Sequence, residues 1–446
     1  VVPSLPSHLE LHSFDDLYES LDDFAAVYEA IAEEVITLGR RSQGVIYAVP
    51  GHPLVGEASV QRILARAGEE GLPVRLVEGL SFVEPVLSLL GLDGLAGLQL
   101  ADATELASAH HPPLDPDRPA LLGQLYNRRL ASDVKLTLMN AYPDDHPVTL
   151  VRAAGTSDGD TTAVPLHELD RGLPLDHLTT LYVPPLPHVG GLPAFQDTVA
   201  RLRAPGGCPW DREQTHQTLR RALLEETYEV LAALDAGDAG ALCEELGDLL
   251  MQIAMHAQIA TEEGTFQFAD LIARIDSKLR RRHPHVFGDL EVSGTADVLR
   301  NWEAIKAGER AGKPGGSEFS SGLDSVPADM PALARAQALG ERAARAGFDW
   351  PDIDGVLDKV CEEVGELQGA DDPGLQAGEM GDLLFTLANV ARWLGLDAES
   401  TLRETSDRFI RRYSRIEQGA RARGTSLQAL SQAELEALWE DAKSAS

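Results

Sequence analysis

Between Leu223 and Leu250 the chain reads LLEETYEVLAALDAGDAGALCEELGDLL, and this stretch limits the fold more than any other. Glu225, Glu226 and Glu229 fall at i, i+1 and i+4 of a helical pattern, with Leu223, Leu224, Val230, Leu231 and Leu234 on its apolar side. The break at Ala236-Gly237-Asp238 offers Asp238 as an N-cap. The next helix carries Glu245 and Asp248 one turn apart. Residues three and four apart share a helix face, so two antiparallel helices can aim four or five carboxylates at one point. A solvated face scatters its acids among lysines, and this stretch has none. Acids set among leucines are costly unless a cation sits among them.

The same grammar returns between Val360 and Leu384, VCEEVGELQGADDPGLQAGEMGDLL, with Glu362, Glu363 and Glu366 followed by Glu379 and Asp382. The connection is shorter, but the EExxE and ExxD halves are both intact. Two copies at this scale predict two related helical domains.

The rest of the chain has room for more. Its 446 residues suit about three domains, and a hydrophobic fraction of 43% allows each a core. With 71 acids against 38 bases the net charge is −33, which argues against nucleic acid as a partner because its phosphates would be repelled. Anionic small substrates would need metal ions or a local basic cluster. Cys208, Cys243 and Cys361 lie far apart and predict a reducing compartment without a disulfide framework. No apolar run reaches the length of a membrane span and the start shows no signal peptide, so a cytoplasmic protein without membrane contact is expected.

Residues 1–185 have a different texture. Val45–Val49 (VIYAV) reads as a buried strand stopping at Pro50-Gly51, and Val74–Val77 as a second strand. Helical periodicity follows each, at about 57–69 and 82–90. Leu121–Gln124, Val148–Ala153 and Leu181–Val183 are also strand-like. Alternating strands and helices predict an α/β lobe. The PGHPLVGE loop either lets backbone amides approach a ligand or is simply a tight turn that needs glycine.

YAVPGHPLVGEASVQ, VRLVEGLSFVEPVL, GLQLADA, QLYNRRLASDVKLTLMNAYPDDHPVTLV and LTTLYVPPL cover most of residues 43–185. In these stretches the lobe resembles the tetrapyrrole (corrin/porphyrin) methylase family, in the form fused ahead of MazG domains in YabN-like proteins. The resemblance places the PGHPLVGE loop beside a site for S-adenosylmethionine. That family opens with a strand and a GxGPG-like loop, and nothing like it precedes Ser13. The chain also begins at Val1 rather than methionine, so an N-terminal segment is expected to be missing, by truncation or by loss. S-adenosylmethionine is in doubt as a ligand on that account.

Pro184, Pro185, Pro187 and Gly190-Gly191 read as a linker over about 175–192. Leu192–Leu202 is amphipathic. Cys208 in CPW invites a nucleophile reading, but no base is evident nearby and a buried structural thiol is expected. Trp210 is expected in the core, with base stacking as the alternative. His256 has no second histidine at metal spacing and is expected to be packed or solvated. A third helix from about Ala269 ends in KLRRRHPHVFGD, where Pro284 stops it. Lys278, Arg281 and Arg282 there either suit a helix C-terminus or clamp phosphates bidentately. AGKPGGSEFSSG is a low-complexity linker. Arg408, Arg411 and Arg412 in DRFIRRY take the place of KLRRRH in the second copy, and Trp439 and Lys443 lie on a closing helix.

Clustered Glu and Asp without His or Cys select a hard divalent cation. Magnesium keeps waters and binds phosphates, and manganese would also serve. A metal-bound water aided by a carboxylate can attack phosphorus, which predicts phosphoanhydride hydrolysis. A Walker GK[ST] loop is absent, which argues against a P-loop mechanism.

GGCPWDxxQTHxTLRxxLLEExYEV, EELGDLLxQ and KLxRRHPHVF in the first copy, with GFDW, DKVCEEVGEL, EMGDLLF and RFIRRY in the second, resemble the MazG nucleoside triphosphate pyrophosphohydrolases of the all-α NTP pyrophosphatase superfamily. The resemblance covers about residues 190–440. It implies hydrolysis of an NTP between the α and β phosphates, to NMP and pyrophosphate, with magnesium. It carries ligand roles onto Glu226, Glu229, Glu245 and Asp248, and onto Glu363, Glu366, Glu379 and Asp382. Glu225 and Glu362 become further ligands or the water-activating base. Lys278 and Arg282, with Lys359, Arg408, Arg412 and Lys443 in the second copy, become phosphate contacts, and Trp439 packs near the nucleotide. Arg408 stands where lysine is usual, which keeps charge and changes geometry. A homodimer is implied.

The expected architecture is thus an N-terminal α/β domain (1–185), a first all-α domain (190–310), a linker (311–327) and a second all-α domain (328–446). The leading function is nucleotide-pool housecleaning by an NTP pyrophosphohydrolase. The alternatives are a tetrapyrrole-type methyltransferase and a noncatalytic small-molecule-binding regulator. One EExxE/ExxD copy could also be structural while the other turns over.

Overall fold

The apolar runs near 121, 148 and 181 become strands because each finds a neighbour with which to share its backbone hydrogen bonds. The structure, a computed structural model, describes residues 9–21, 23–311, 323 and 326–444. The chain divides into two compact units, Val1–Asp276 and Ser277–Ser446.

The first unit begins with α1 (Asp15–Ser20), α2 (Phe24–Gly39), α3 (Ala58–Glu70) and α4 (Val83–Leu90). It continues through β1 (Gln99–Asp102), α5 (Ala103–Ser108), β2 (Ala120–Gly123), α6 (Arg128–Leu138), β3 (Pro147–Arg152), β4 (Asp160–Pro165) and β5 (Thr179–Val183). The sheet runs β1-β2-β5-β3-β4, with β1 and β2 parallel and the other neighbours antiparallel. All four residues of β2 are buried, as expected for a central strand covered on both faces. Leu122, Leu150 and Leu181 on the sheet pack with Leu106, Val134 and Leu138 from α5 and α6. A separate core forms where Val27, Ile31 and Val35 of α2 meet Ile63 and Ala67 of α3.

Residues 45–49 and 74–77 do not form the two expected strands. Neither segment has a ladder partner among the described residues, and Ile46 and Val77 are 88% and 72% exposed. A short apolar run does not by itself supply the neighbour that a strand requires. The turns that follow both segments are packed backbone to backbone: a Cβ on Gly79 would lie 2.5 Å from the Gly51 carbonyl oxygen.

The expected linker over 175–192 is tied down along much of its length. β5 takes up its first half, Leu186 donates its N–H to the Pro116 carbonyl, and Gly190 and Gly191 donate theirs to the Asp117 carboxylate at 2.8 and 3.0 Å. Then come α7 (Leu192–Arg203), α8 (Pro209–Glu213), α9 (Arg220–Ala236), α10 (Ala239–Glu263) and α11 (Phe268–Arg282). Asp238 caps α10 by accepting from the N–H groups of Gly240 and Ala241, and Gly264 ends it at φ 70°, a conformation that costs glycine little. Val199 of α7, Leu219, Phe268, and Ala254, Met255 and Ile259 of α10 form the apolar cluster here.

The second unit contains α12 (Pro284–Phe287), α13 (Thr295–Ala311), α14 (Ala332–Arg345), α15 (Ile353–Gly369), α16 (Pro373–Trp393), α17 (Ala398–Ala422) and α18 (Gln432–Ser444). The expected 311–327 linker lies largely outside the described residues. Small buried clusters of Ala336, Ala388 and Ala398, and of Ile416, Leu438 and Ala442, hold α14, α16, α17 and α18 together. No helix among the described residues is long and apolar enough to cross a membrane.

Candidate metal centre

The two-residue turn Gly237-Asp238 folds α10 back along α9, as helical hairpins with short connections do. This brings Glu226 to Glu245 and Asp248, whose carboxylate oxygens all lie within 4.8 Å of one another. In the second unit α15 and α16 bring Glu363 to Glu379 and Asp382 within the same limit. Equivalent members of the two EExxE/ExxD sets therefore meet, three acids in each.

The electrostatics differ between the copies. Burial, then the hydrogen bond and charges from Glu229, Asp248 and Glu245, push the Glu226 carboxyl up; burial, then Glu229, Glu244 and Asp248, do the same to Glu245. Like charges crowded together favour either a proton or a cation. In the second copy Lys359 Nζ lies 2.8 Å from Glu362 and 2.9 Å from Glu363. Its ammonium is pushed up by its hydrogen bonds to these acids, so a lysine already occupies the acid face there. Burial pushes Glu366 up despite the opposing charge of Lys359.

The donor set fits a hard divalent ion. It is all carboxylate, and Glu363, which is 4% exposed, keeps Oε2 buried with no hydrogen-bond partner among the described residues. Glu229 and Glu366 stand outside the tight triads but act on them through charge. Glu225 pairs with Arg221 at 2.8 Å, one turn earlier, as Glu362 does with Lys359.

The basic residues fare unevenly. Lys278 is exposed, whereas Arg281 and Arg282 both close on Glu309, at 2.7 and 2.6 Å. Arg408 donates to Thr405 Oγ1. The Arg412 guanidinium and the Lys443 ammonium lie 6.0 and 5.8 Å from the centre of the Trp439 ring, which also meets Phe409. The first copy repeats this arrangement at residues the sequence reading passed over: Lys306 Nζ sits 5.2 Å over Trp302, which His283 meets edge-on. The strings WEAIK and WEDAK, at 302–306 and 439–443, were the signal.

Two expectations need correction. Trp210 is 64% exposed rather than in the core, because the five-residue α8 carries it outward on a Gly-Pro turn. Cys208 is half-buried rather than buried, being the residue before α8. His256 is packed, as expected, but against a histidine forty residues away, His216.

Comparisons with known proteins match two different families to separate parts of the chain. The MazG nucleotide pyrophosphohydrolase domain matches residues 214–287, and the tetrapyrrole (corrin/porphyrin) methylases match residues 2–170. The protein YabN of Bacillus subtilis is 42% identical over 96% of this chain and 88% of its own length. The nucleoside triphosphate pyrophosphohydrolase of Escherichia coli K12 is 45% identical over 54% of this chain and 93% of its own. The nucleoside triphosphate pyrophosphohydrolase/pyrophosphatase MazG of Thermotoga maritima is 42% identical over 56% of this chain and 95% of its own.

Proposed function

This chain belongs to the MazG nucleotide pyrophosphohydrolase family, in the form that carries a tetrapyrrole methylase domain ahead of its helical region, and from that membership we propose that it hydrolyses nucleoside triphosphates to the monophosphate and pyrophosphate with magnesium. The observation that carries this reading is the pair of carboxylate triads, Glu226–Glu245–Asp248 and Glu363–Glu379–Asp382, each drawn within 4.8 Å on a helical hairpin. Glu229 and Glu366 complete the two ligand sets. When bound, magnesium or manganese offsets phosphate charge and lowers the pKa of water.

In the reaction a water oxygen bonds to the α-phosphorus, and the bond from that phosphorus to the α,β-bridging oxygen breaks. Pyrophosphate leaves with that oxygen. Glu225 and Glu362 are the acceptors of the water proton. Lys278, Arg281 and Arg282, and Lys359, Arg408, Arg412 and Lys443, hold phosphate oxygens, with Trp439 against the nucleoside.

A homodimer belongs to the same reading. Leu224 and Leu234 on α9 are each 53% exposed, and Leu246, Leu250, Leu384 and Leu387 are exposed beside the acids. Exposed leucines beside the acids of each hairpin, taken separately, support an interface with a second copy. Light scattering on the purified chain tests it, and a monomer at micromolar concentration would end it.

The activity is tested by separating the products formed from each NTP with magnesium, for wild type, Glu229→Gln, Glu366→Gln and the double variant. NMP and pyrophosphate, with turnover reduced at least about 100-fold in one or both single variants, support the reading and identify the working copy. NDP and phosphate, or no turnover with any nucleotide, refute it.

A further inference from the structure

The first carboxylate hairpin has little apolar packing to set its register. Among the described residues of α9 only Ala233 is buried, and no α9 residue belongs to the apolar cluster of α7 and α10. Yet the triad depends on register. A slip of one residue would move Glu226 by about 1.5 Å along the axis and turn it by about 100°, out of reach of Glu245 and Asp248.

A polar contact stands at the end of the hairpin away from the Gly237-Asp238 turn. His216, four residues ahead of α9, places Nδ1 at 2.8 Å from Nδ1 of His256 on α10, with the two rings within 4° of parallel. His256 lies eleven residues, three turns, beyond Glu245, so both share one face of α10. Gln252 lies between them on that face and is 3% exposed. An Nδ1–Nδ1 hydrogen bond needs one donor and one acceptor. His216 Nε2 lies 3.6 Å from Glu263, which favours a proton on that nitrogen. His216 then accepts at Nδ1, and His256 donates. The bare Nε2 left on His256 is consistent with its burial without a partner among the described residues.

We propose that His216 and His256 are positioning residues for the first acidic cluster, and that their hydrogen bond sets the register of α9 on α10 and thereby the approach of Glu226 to Glu245 and Asp248. This rests on the reading that the cluster holds a divalent cation. The second hairpin solves the same problem with other groups. Asp349, ahead of α15, takes a two-pronged bond from Arg392 of α16 at 2.6 and 3.0 Å, and no imidazole is involved. Changing the histidine pair therefore acts on one cluster and spares the other.

The experiment is a titration of the full chain with Mn2+ by electron paramagnetic resonance, in a Glu363→Gln/Glu379→Gln parent whose remaining cluster is the first. His256→Phe keeps a ring and removes the donor; His256→Asn keeps a donor near the Nδ1 position. The Phe variant is expected to weaken Mn2+ binding about tenfold, and the Asn variant to recover most of it, although Asn gives up the ring stacking and melts earlier. Should His256→Phe fail to fold, His216→Phe and His216→Asn, at the more exposed ring, give the same comparison. Equal affinity in Phe variant and parent, or equal loss in Phe and Asn, overturns the proposal. A parent that binds no Mn2+ refutes the cation reading of the first cluster, and the proposal falls with it.

Discussion

Lys359 Nζ lies 2.9 Å from Glu363 Oε1 in the second acidic cluster, whereas Ala222 holds the place four residues before Glu226 in the first. Among the described residues, the second cluster thus carries a built-in cation and the first does not. Lys359→Met takes the lysine countercharge from the buried Glu363, and leaving a buried charge uncompensated is destabilising. The variant should melt earlier than wild type in EDTA, and millimolar magnesium should close much of the gap. Equal melting in EDTA would show that the ion pair does not stabilise the free protein.

The first cluster should respond to acid in the sense opposite to most carboxylates. Glu226 and Glu245 are pushed up by burial and by neighbouring acids, so their charged forms are disfavoured by folding. The stability they contribute is fully present below the ordinary glutamate value and is lost as pH rises through their raised values. In EDTA, lowering the pH from 7 toward that range should therefore stabilise wild type relative to a Glu226→Gln/Glu245→Gln variant. At pH 7 a divalent ion at 100 times its Kd should add about 2.7 kcal/mol to wild type through the first cluster, and that increment should be missing from a variant that keeps only the second. Urea unfolding with and without magnesium measures both.

Glu309 is held by Arg281 and Arg282, whose guanidinium groups lower its carboxyl to about 2. Here the linkage has the usual sign: the contribution is present above the ordinary glutamate value and is lost as pH falls through about 2. Glu309→Gln should cost about 1–2 kcal/mol at pH 7, with the difference from wild type shrinking only below the ordinary glutamate range. Urea titrations at neutral and acidic pH follow it. The substitution also frees two guanidinium groups, so pyrophosphate should inhibit the variant more strongly than wild type.

Arg392 grips Asp349 with two bonds, at 2.6 and 3.0 Å, and that hold keeps the Asp349 carboxyl below its usual range. Asp349→Asn should destabilise the second unit by about 1–2 kcal/mol while leaving unfolding of the first unit unchanged. Hydrogen exchange resolved along the chain separates the two. Uniform loss of protection would mean that the pair does more than brace its own unit.

How much of this was legible in the sequence depends on the range of the interaction. Helical spacing located Glu226, Glu245 and Asp248 on facing helices, and local chemistry marked the cap at Asp238 and the stop at Pro284. Those features depend on neighbours within a turn or two. The strands expected at 45–49 and 74–77 failed because an apolar run does not name its partner. His216–His256 and Arg282–Glu309 join residues 40 and 27 positions apart, and no local period encodes such pairs. Trp302 and Lys306 could have been found by extending the internal repeat by one more helix. The exposure of Leu224 and Leu234 could not, since periodicity says which residues share a face and not what covers it.

Asp117 receives the N–H groups of Gly190 and Gly191 at the threshold of α7, and a side chain on Gly191 would collide with Asp115 and Asp117. The seam between sheet and helices is therefore keyed, and recombination there is not neutral. A cassette of helices grafted onto another protein from Leu192 onward would leave behind the carboxylate that receives its first amides. Exchange between relatives would keep the lock and key together only if the 115–117 loop travelled with the glycines.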